Sequence, residues 1–404
     1  MRLLFLDEEF PFPLNSGKRI RTFSLVSRLA STCEVDYLAF GAADSDAAAA
    51  LRDAGVRPHA VPVRLPAKQG PGFYWRLLRN VFSSAPYSVT THYHRRFAEA
   101  ADALLDTGGF DAVICEWTPY AQYVRARAEL PRIVCAHNIE HQIWERLATH
   151  EPHPLRRWYF GLQAVKWRRF EHDVFRWVDG VAAVSAGDRR TIVAVNPDLP
   201  VDVIDNGVDL DAFRSDEGPD GEASLVFVGA LDWRANQDAV AHMVRDVMPR
   251  IRKRLPQTEL TIVGRHPPAW ISALDGHDGV VVAGMVPDVR PYVAEAAVYV
   301  VPLRVGGGSR LKILEALAMK RAVVSTSVGA EGLDVVDGEH LILADDPDAF
   351  AQAVVDLAGD PERRRRLGAA GRDLVERSYG WDSLAERLLR FVGQRVAAAD
   401  ARQP

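Results

Sequence analysis

Short apolar runs alternate with longer stretches in which apolar side chains return every three or four residues, and the alternation runs the length of the chain. The runs at 2–6, 34–40, 60–63, 112–116, 132–136, 180–185 and 201–204 are predicted strands, with helical periodicity between most of them. They are apolar at nearly every position rather than every second one, so each strand is expected to be buried on both faces, as in a parallel sheet covered by helices. The rhythm stops at 205–222, where Asn-Gly, Gly-Pro and Asp-Gly pairs mark a linker. It restarts with runs at 225–229, 260–264, 280–284, 298–303, 322–326 and 340–344. The pattern predicts an α/β protein of two doubly wound, Rossmann-like lobes: 1–205, a linker at 206–222, and 223–380. The last amphipathic stretch, 381–404, is predicted as a helix returning to the N-terminal lobe.

Composition then narrows the functional classes. With 49 Lys and Arg against 54 Asp and Glu, the net charge of −5 offers no global attraction to nucleic acid. Cys33, Cys115 and Cys135 sit in apolar runs with no CxxC pair, so neither a disulfide framework nor thiol chemistry is expected. No apolar stretch approaches the roughly 18 residues of a membrane span. The first residues lack the layout of a signal peptide, and the expected place is the cytoplasm. One stretch departs from the global charge. Within 155–178, Arg156, Arg157, Lys166, Arg168, Arg169 and Arg176 are interleaved with aromatic residues. That pattern fits either a helix packed on its sheet or peripheral contact with anionic lipid at the inner membrane face.

In open parallel sheets, ligands bind beyond the carboxyl ends of the strands. The most informative loop of this kind lies in 298–318, VYVVPLRVGGGSRLKILEALA. An apolar strand runs into Gly306, Gly307 and Gly308, and Leu311, Leu314 and Leu317 then recur at helical spacing. Glycines let the backbone approach a ligand, and a helix N-terminus directs N–H groups and partial positive charge at an anion. Arg310 and Lys312 oppose the usual charge preference of a first helical turn and make sense facing a diphosphate. Glu315, one turn on, could accept from both hydroxyls of a ribose. In the N-terminal half, Ser16 or Asn15 is expected to cap a helix beginning near Gly17, with Lys18, Arg19 and Arg21 making the approach basic.

Read together, PFPLNSGKRIR, HNIE, VSAGD, DNGVD, VGALDW, GGGSRLKILEALA and VVSTSVGAEGL occur in the order found in a known family. The chain resembles the GT4-like retaining glycosyltransferases (glycosyl transferases group 1) of the GT-B fold. The resemblance implies two Rossmann-like lobes facing an inter-lobe cleft. It implies transfer of a sugar from a nucleotide diphosphate donor to a hydroxyl acceptor, whether saccharide, lipid-linked sugar or small molecule. It places His137 beside the donor sugar as the catalytic residue and the Gly17 loop against the donor phosphates; with these, Arg234, Gly307, Gly308, Arg310, Leu311, Lys312 and Glu315 are this chain's candidate donor contacts. Glu116 and Glu140 are candidate acceptor contacts. Front-face attack, in which the leaving phosphate takes the acceptor proton, needs no side-chain base.

Two departures from the family pattern involve three positions. Gly307 stands where the first of two glutamates is common, and Ala230 and Ala235 stand where an Arg and a Lys usually hold the diphosphate. Arg310 and Lys312, with Arg234 as a third, are the expected replacements. Asp209-Leu210-Asp211 has the spacing of a metal-binding triplet but falls in the linker, so neither a metal nor a cofactor is expected. A nucleotide-sugar 2-epimerase with similar twin lobes, and a sugar-nucleotide-binding module without catalysis, remain alternatives on the sequence.

Overall fold

The computed structural model describes residues 1–67, 69–214, 224–305 and 310–401. It comprises two compact units, Met1–Asp205 with Leu384–Pro404, and Asn206–Ser383. The first is built on a seven-stranded parallel sheet of β1 (Arg2–Asp7), β2 (Glu34–Phe40), β3 (Arg57–Val61), β4 (Ala112–Cys115), β5 (Arg132–Ala136), β6 (Gly180–Ala183) and β7 (Val201–Val203), in the order β3-β2-β1-β4-β5-β6-β7. The second has six strands, β8 (Ser224–Val228), β9 (Glu259–Val263), β10 (Val280–Gly284), β11 (Val298–Val301), β12 (Ala322–Ser325) and β13 (Ile342–Leu343), ordered β10-β9-β8-β11-β12-β13. In each sheet the chain begins in the middle, winds one way and then reverses. The reversals fall between β1 and β4 and between β8 and β11, the switch points where a doubly wound sheet opens a crevice for ligands.

The strands form where the sequence is continuously apolar because both faces are covered. Every residue of β4, β5, β6, β11 and β12 is buried. The edge strands β3, β7, β10 and β13 are less covered, and β3 is also displaced: predicted at 60–63, it pairs with β2 from Arg57 to Val61. Pro58 is tolerated on this edge strand, and Pro62, lacking an N–H, ends the ladder. Cys115 and Cys135 are buried and all three cysteines are free.

The helix Trp381–Asp400 belongs to the first unit from Leu384 onward. Gly180 at the start of β6 permits this: a Cβ there would lie 2.8 Å from Phe391 Cζ. Arg387 Nη2 donates to Asp202 Oδ1 at 2.6 Å on the same side. Of the predicted linker, 206–214 belongs to the second unit, where Val208 bridges to Gly380, and 215–222 lies outside the described residues. Asp209 Oδ1 accepts from the backbone N–H groups of Asp211 and Ala212 at 3.0 and 2.9 Å, so this acidic triplet caps a turn.

Candidate active site

In the first unit the chemistry collects at the carboxyl ends of β1, β4 and β5. The helix Gly17–Leu29 starts beside them, with Ser16 as its cap: the hydroxyl accepts from Arg19 N–H at 3.4 Å, and Gly17 is the first helical residue. The three basic residues that follow do not leave a free positive surface, which corrects the sequence reading. Lys18 Nζ donates to Asp7 Oδ1 at 2.6 Å and Glu8 Oε1 at 2.8 Å. Burial works against its ammonium, yet the two carboxylates outweigh it and hold Lys18 above its usual range. Arg19 is paired with Glu9, and Arg21 is fully buried, its Nη1 donating to the Asp205 carbonyl at 2.5 Å. The partners come from the end of β1 and from far along the chain, so spacing along the helix did not reveal them.

Glu116 follows β4 and His137 follows the neighbouring β5. Their side chains meet: His137 Nε2 lies 3.0 Å from Glu116 Oε2, which also accepts from Thr22 Oγ1 at 3.0 Å. Burial pushes the Glu116 carboxyl up, but His137, with Arg21 and Thr22, brings it down to about 2, so it is a carboxylate at neutral pH. A carboxylate only accepts, so His137 Nε2 carries the proton and Nδ1 is left for another partner. Glu116 is 1% exposed, and a direct contact with an acceptor is not available to it.

Glu140 opens the helix Glu140–His150 and accepts from Trp117 Nε1–H at 2.9 Å. Burial raises its carboxyl to about 7, with the charges of Glu171 and Glu8 adding to the rise against the Trp117 hydrogen bond. The helix has no side-chain cap of its own. Glu171, reaching in from the helix Pro154–Trp177, accepts from the backbone N–H groups of Glu140 and His141 instead. Asp7, Thr22 and Glu171 were not legible as site residues. The only signal would have been a charged residue directly after each apolar strand.

In the second unit, β11 leads to the helix Leu311–Ala318. Gly307 and Gly308 lie outside the described residues. Arg310 is the N-cap in the left-handed conformation, at φ 52°. Its guanidinium is committed locally, donating to the Glu331 carbonyl at 3.2 Å and to Glu331 Oε2 at 3.1 Å. Burial lowers its pKa. Leu311 and Lys312 form the first turn. Lys312 Nζ turns to the loop after β8, donating to Asn236 Oδ1 at 2.8 Å and lying 4.7 Å from the Phe227 ring centroid. Asn236, which the sequence reading missed, is itself fixed by donating to the Ala230 carbonyl at 2.8 Å.

Burial pulls the Lys312 ammonium down to about 8 and pushes the Glu315 carboxyl up to about 7. Lys312 and Glu315 share one face of the helix, three residues apart, and no hydrogen bond ties the Glu315 carboxylate to another described residue. Arg234 is exposed at the first position of the helix Arg234–His242. The arrangement after β8 and β11 therefore holds one cation and one carboxylate in partly desolvated positions at the switch point. Among the described residues no group of three or more His, Cys, Asp or Glu could hold a metal ion, and no helix is long and apolar enough to cross a membrane.

Comparison with known proteins agrees with this geometry. Two family models match, "Glycosyl transferase 4-like domain" over residues 16–207 and "Glycosyl transferases group 1" over 222–360, which together cover most of the chain. The chain is 26% identical to the alpha-maltose-1-phosphate synthase of Mycolicibacterium smegmatis, over 97% of this chain and 98% of that protein. It is 30% identical to a GDP-mannose-dependent phosphatidylinositol monomannoside mannosyltransferase of the same organism, over 55% of this chain and 64% of that protein. Among solved structures, sucrose-phosphate synthase from Thermosynechococcus elongatus superposes with a TM-score of 0.67 at 19% identity, covering 98% and 99% of the two chains. Anabaena HepE in complex with UDP and glucose superposes at 0.64 and 12% identity, covering 97% and 99%.

Proposed function

This chain belongs to the group 1 glycosyl transferases and has their GT-B fold, and from that premise we propose that it moves a sugar from a nucleotide diphosphate donor to a hydroxyl acceptor with retention of anomeric configuration. The observation that carries the reading is the pair Lys312 and Glu315, a cation and a carboxylate on one helix face at the β8/β11 switch point, each pushed toward neutrality by burial. A diphosphate restores the counter-charge that Lys312 lacks, and a ribose diol supplies donors to Glu315. Arg310 supports the loop through Glu331 and adds positive potential at the same helix start. Counter-charge for the diphosphate comes from these side chains and the helix N-terminus rather than from a resident metal.

In the proposed step, the bond from the anomeric carbon to the leaving phosphate oxygen breaks and a bond to the acceptor oxygen forms on the same face. The acceptor proton passes to the leaving phosphate. His137 contributes by position: Glu116 fixes its Nε2–H, so Nδ1 can bond a sugar hydroxyl as positive charge develops at the anomeric carbon. Glu140, held protonatable near neutral pH beside Trp117, is the acceptor-side contact on the same unit.

The experiment is to incubate the purified protein with a panel of nucleotide sugars, with and without hydroxyl acceptors, and to follow products by mass spectrometry and the anomeric proton coupling by NMR. Transfer giving the donor's anomeric configuration supports the reading. An inverted product overturns retention. Free-sugar epimerisation without an acceptor, or binding with no turnover, replaces the reaction class.

A further inference from the structure

The acidic chain contains one long stretch with no acid in it. Residues 54–98 hold seven Lys and Arg and no Asp or Glu, and residues 152–170 hold five more, again with no acid. The structure brings the two stretches together on the first unit. The helix Pro71–Val81 from the first rests on the helix Pro154–Trp177 from the second. Asn80 accepts from Gln163 Nε2 at 2.8 Å, and the Asn80 carbonyl accepts from Lys166 Nζ. Phe73 meets the Tyr87 ring edge-on at 5.9 Å, and Tyr87 N–H donates to Gln163 Oε1 at 2.9 Å.

The contact face of the helix Pro71–Val81 is thus anchored by a polar residue, Asn80, its one buried side chain. Tyr74, Trp75, Leu78 and Phe82 follow the helical period on the side away from Asn80, and all four are exposed, Trp75 at 61% and Phe82 at 86%. A helix with aromatic residues facing outward and a polar one facing inward has not completed its burial within this unit. Arg79 lies about one helical turn from both Trp75 and Phe82, on their face, and among the described residues its guanidinium has no partner. On the supporting helix the exposed Leu155 and Trp158 flank Arg156 and Arg157, which are likewise unpaired among the described residues. The rest of that helix is accounted for, since Trp167, Val174 and Phe175 are buried in the core.

We propose that the stripe Tyr74–Trp75–Leu78–Phe82, backed by Arg79, Arg156 and Arg157, docks this protein on the surface of an anionic phospholipid bilayer. Charge selects the occupant. An arginine-lined surface built from two stretches without acids, on a chain whose net charge is −5, is attracted to a dense negative surface and not to another copy of the same chain. The side chains suit the depth, because Trp, Tyr and Arg place an apolar body below a polar tip at the boundary of acyl chains and headgroups. The proposal relocates the contact expected of 155–178: the helix Pro71–Val81 inserts and the start of the longer helix supplies flanking charge. It stands apart from the glycosyl-transfer reading, since neither donor nor acceptor enters its test.

The test is co-sedimentation of the full chain with vesicles of equimolar phosphatidylcholine and phosphatidylglycerol, against phosphatidylcholine alone. Binding is expected to the anionic vesicles only, and to fall in high salt. Trp75→Ser with Phe82→Ser is expected to weaken the partition by roughly tenfold or more. Arg156→Gln with Arg157→Gln is expected to weaken it by up to roughly fivefold per charge removed. All four positions are exposed, so the circular dichroism melt should not move. Equal binding to both vesicle types, no binding, or binding indifferent to both variants overturns the proposal. Sedimentation velocity separates the remaining case: a wild-type dimer dissolved by the Trp75/Phe82 variant, without vesicle binding, would make this face a contact between copies and overturn membrane docking.

Discussion

Lys312 reaches from the helix after β11 to the end of β8, where its Nζ donates to Asn236 Oδ1 at 2.8 Å. It comes so near the chain there that a Cβ on Gly229 would lie 2.9 Å from it. The loop after β8 carries Ala230 and Ala235 in the places where the family commonly has an Arg and a Lys. On the proposed reading, the missing charge is delivered from across the switch point by another strand's helix. Arg310, the second expected replacement, is bonded to Glu331 and is expected to contribute less.

Lys312→Ala is therefore expected to weaken nucleoside diphosphate binding by roughly 2–5 kcal/mol, as for a buried charge pair losing one partner. Arg310→Ala should cost less, and the bare nucleoside should bind nearly as before in both. Calorimetric titration with the diphosphate and the nucleoside isolates the phosphate contribution. Adding Ala230→Arg and Ala235→Lys to the Lys312 variant should recover part of the loss. Equal losses for both ligands would show that Lys312 only supports the loop.

The same two residues set a pH window. Lys312 binds phosphate as the ammonium, and its free-state pKa is lowered to about 8 by burial, so nucleotide affinity should decline as pH rises through about 8. Glu315 accepts from a ribose as the carboxylate, and its free-state pKa is raised to about 7, so affinity should also decline as pH falls below about 7. Diphosphate affinity is expected to peak between these values. Bare nucleoside should keep the acid limb and lose the alkaline one, because only the diphosphate engages Lys312. An alkaline limb of equal depth for both ligands would remove Lys312 from the phosphate site.

The sheets were legible because strands buried on both faces must be apolar throughout, as β4 and β5 are, and no alternative packing suits such runs. The positions of Lys312 and Glu315 on a helix after a glycine-rich sequence were legible for the same local reason. Pairings between strand ends were not. Glu116 and His137 are 21 residues apart and meet because β4 and β5 are neighbours, with Cys115 in register with Val134. Lys18 looked free because its partners, Asp7 at the end of β1 and Glu8 just after it, lie before its helix rather than on the helix face. Local spacing carries periodicity; it does not carry which strand ends converge.

Backbone closeness at the nucleotide side gives a stability prediction. Gly229 N–H donates to the Val263 carbonyl at 3.0 Å and Leu231 N–H to the Arg265 carbonyl at 2.9 Å, which joins the loops after β8 and β9. A Cβ on Gly264 would lie 1.8 Å from the Gly229 carbonyl oxygen, a backbone atom that cannot swing aside. Gly264→Ala should destabilise the protein by roughly 1–3 kcal/mol and weaken nucleotide binding, because it displaces the loop that holds Asn236 and Lys312. Gly359→Ala, with nothing within 4 Å of the added Cβ, is the control and should stay within about 0.5 kcal/mol. Thermal melts of the two variants make the comparison; equal melting temperatures would mean that the loop relaxes freely.

The last prediction separates chemistry from folding at the Glu116–His137 pair. Glu116 is buried and ionised, and Arg21 is a buried cation among its neighbours. Glu116→Gln leaves Arg21 with less compensation, so its main cost should be stability, of roughly 3–5 kcal/mol if the charge stays buried. His137→Ala leaves the carboxylate bonded to Thr22 and close to Arg21, and should shift the melt far less. If His137 bonds the sugar as charge develops, its removal should lower kcat by a factor of order 10² while nucleotide affinity is unchanged. His137→Gln can keep a donor toward Glu116 without the imidazole, and should restore the melt but not kcat. Parallel loss of melting temperature and turnover in both His137 variants, or full turnover in either, would assign the residue to packing at the strand end instead.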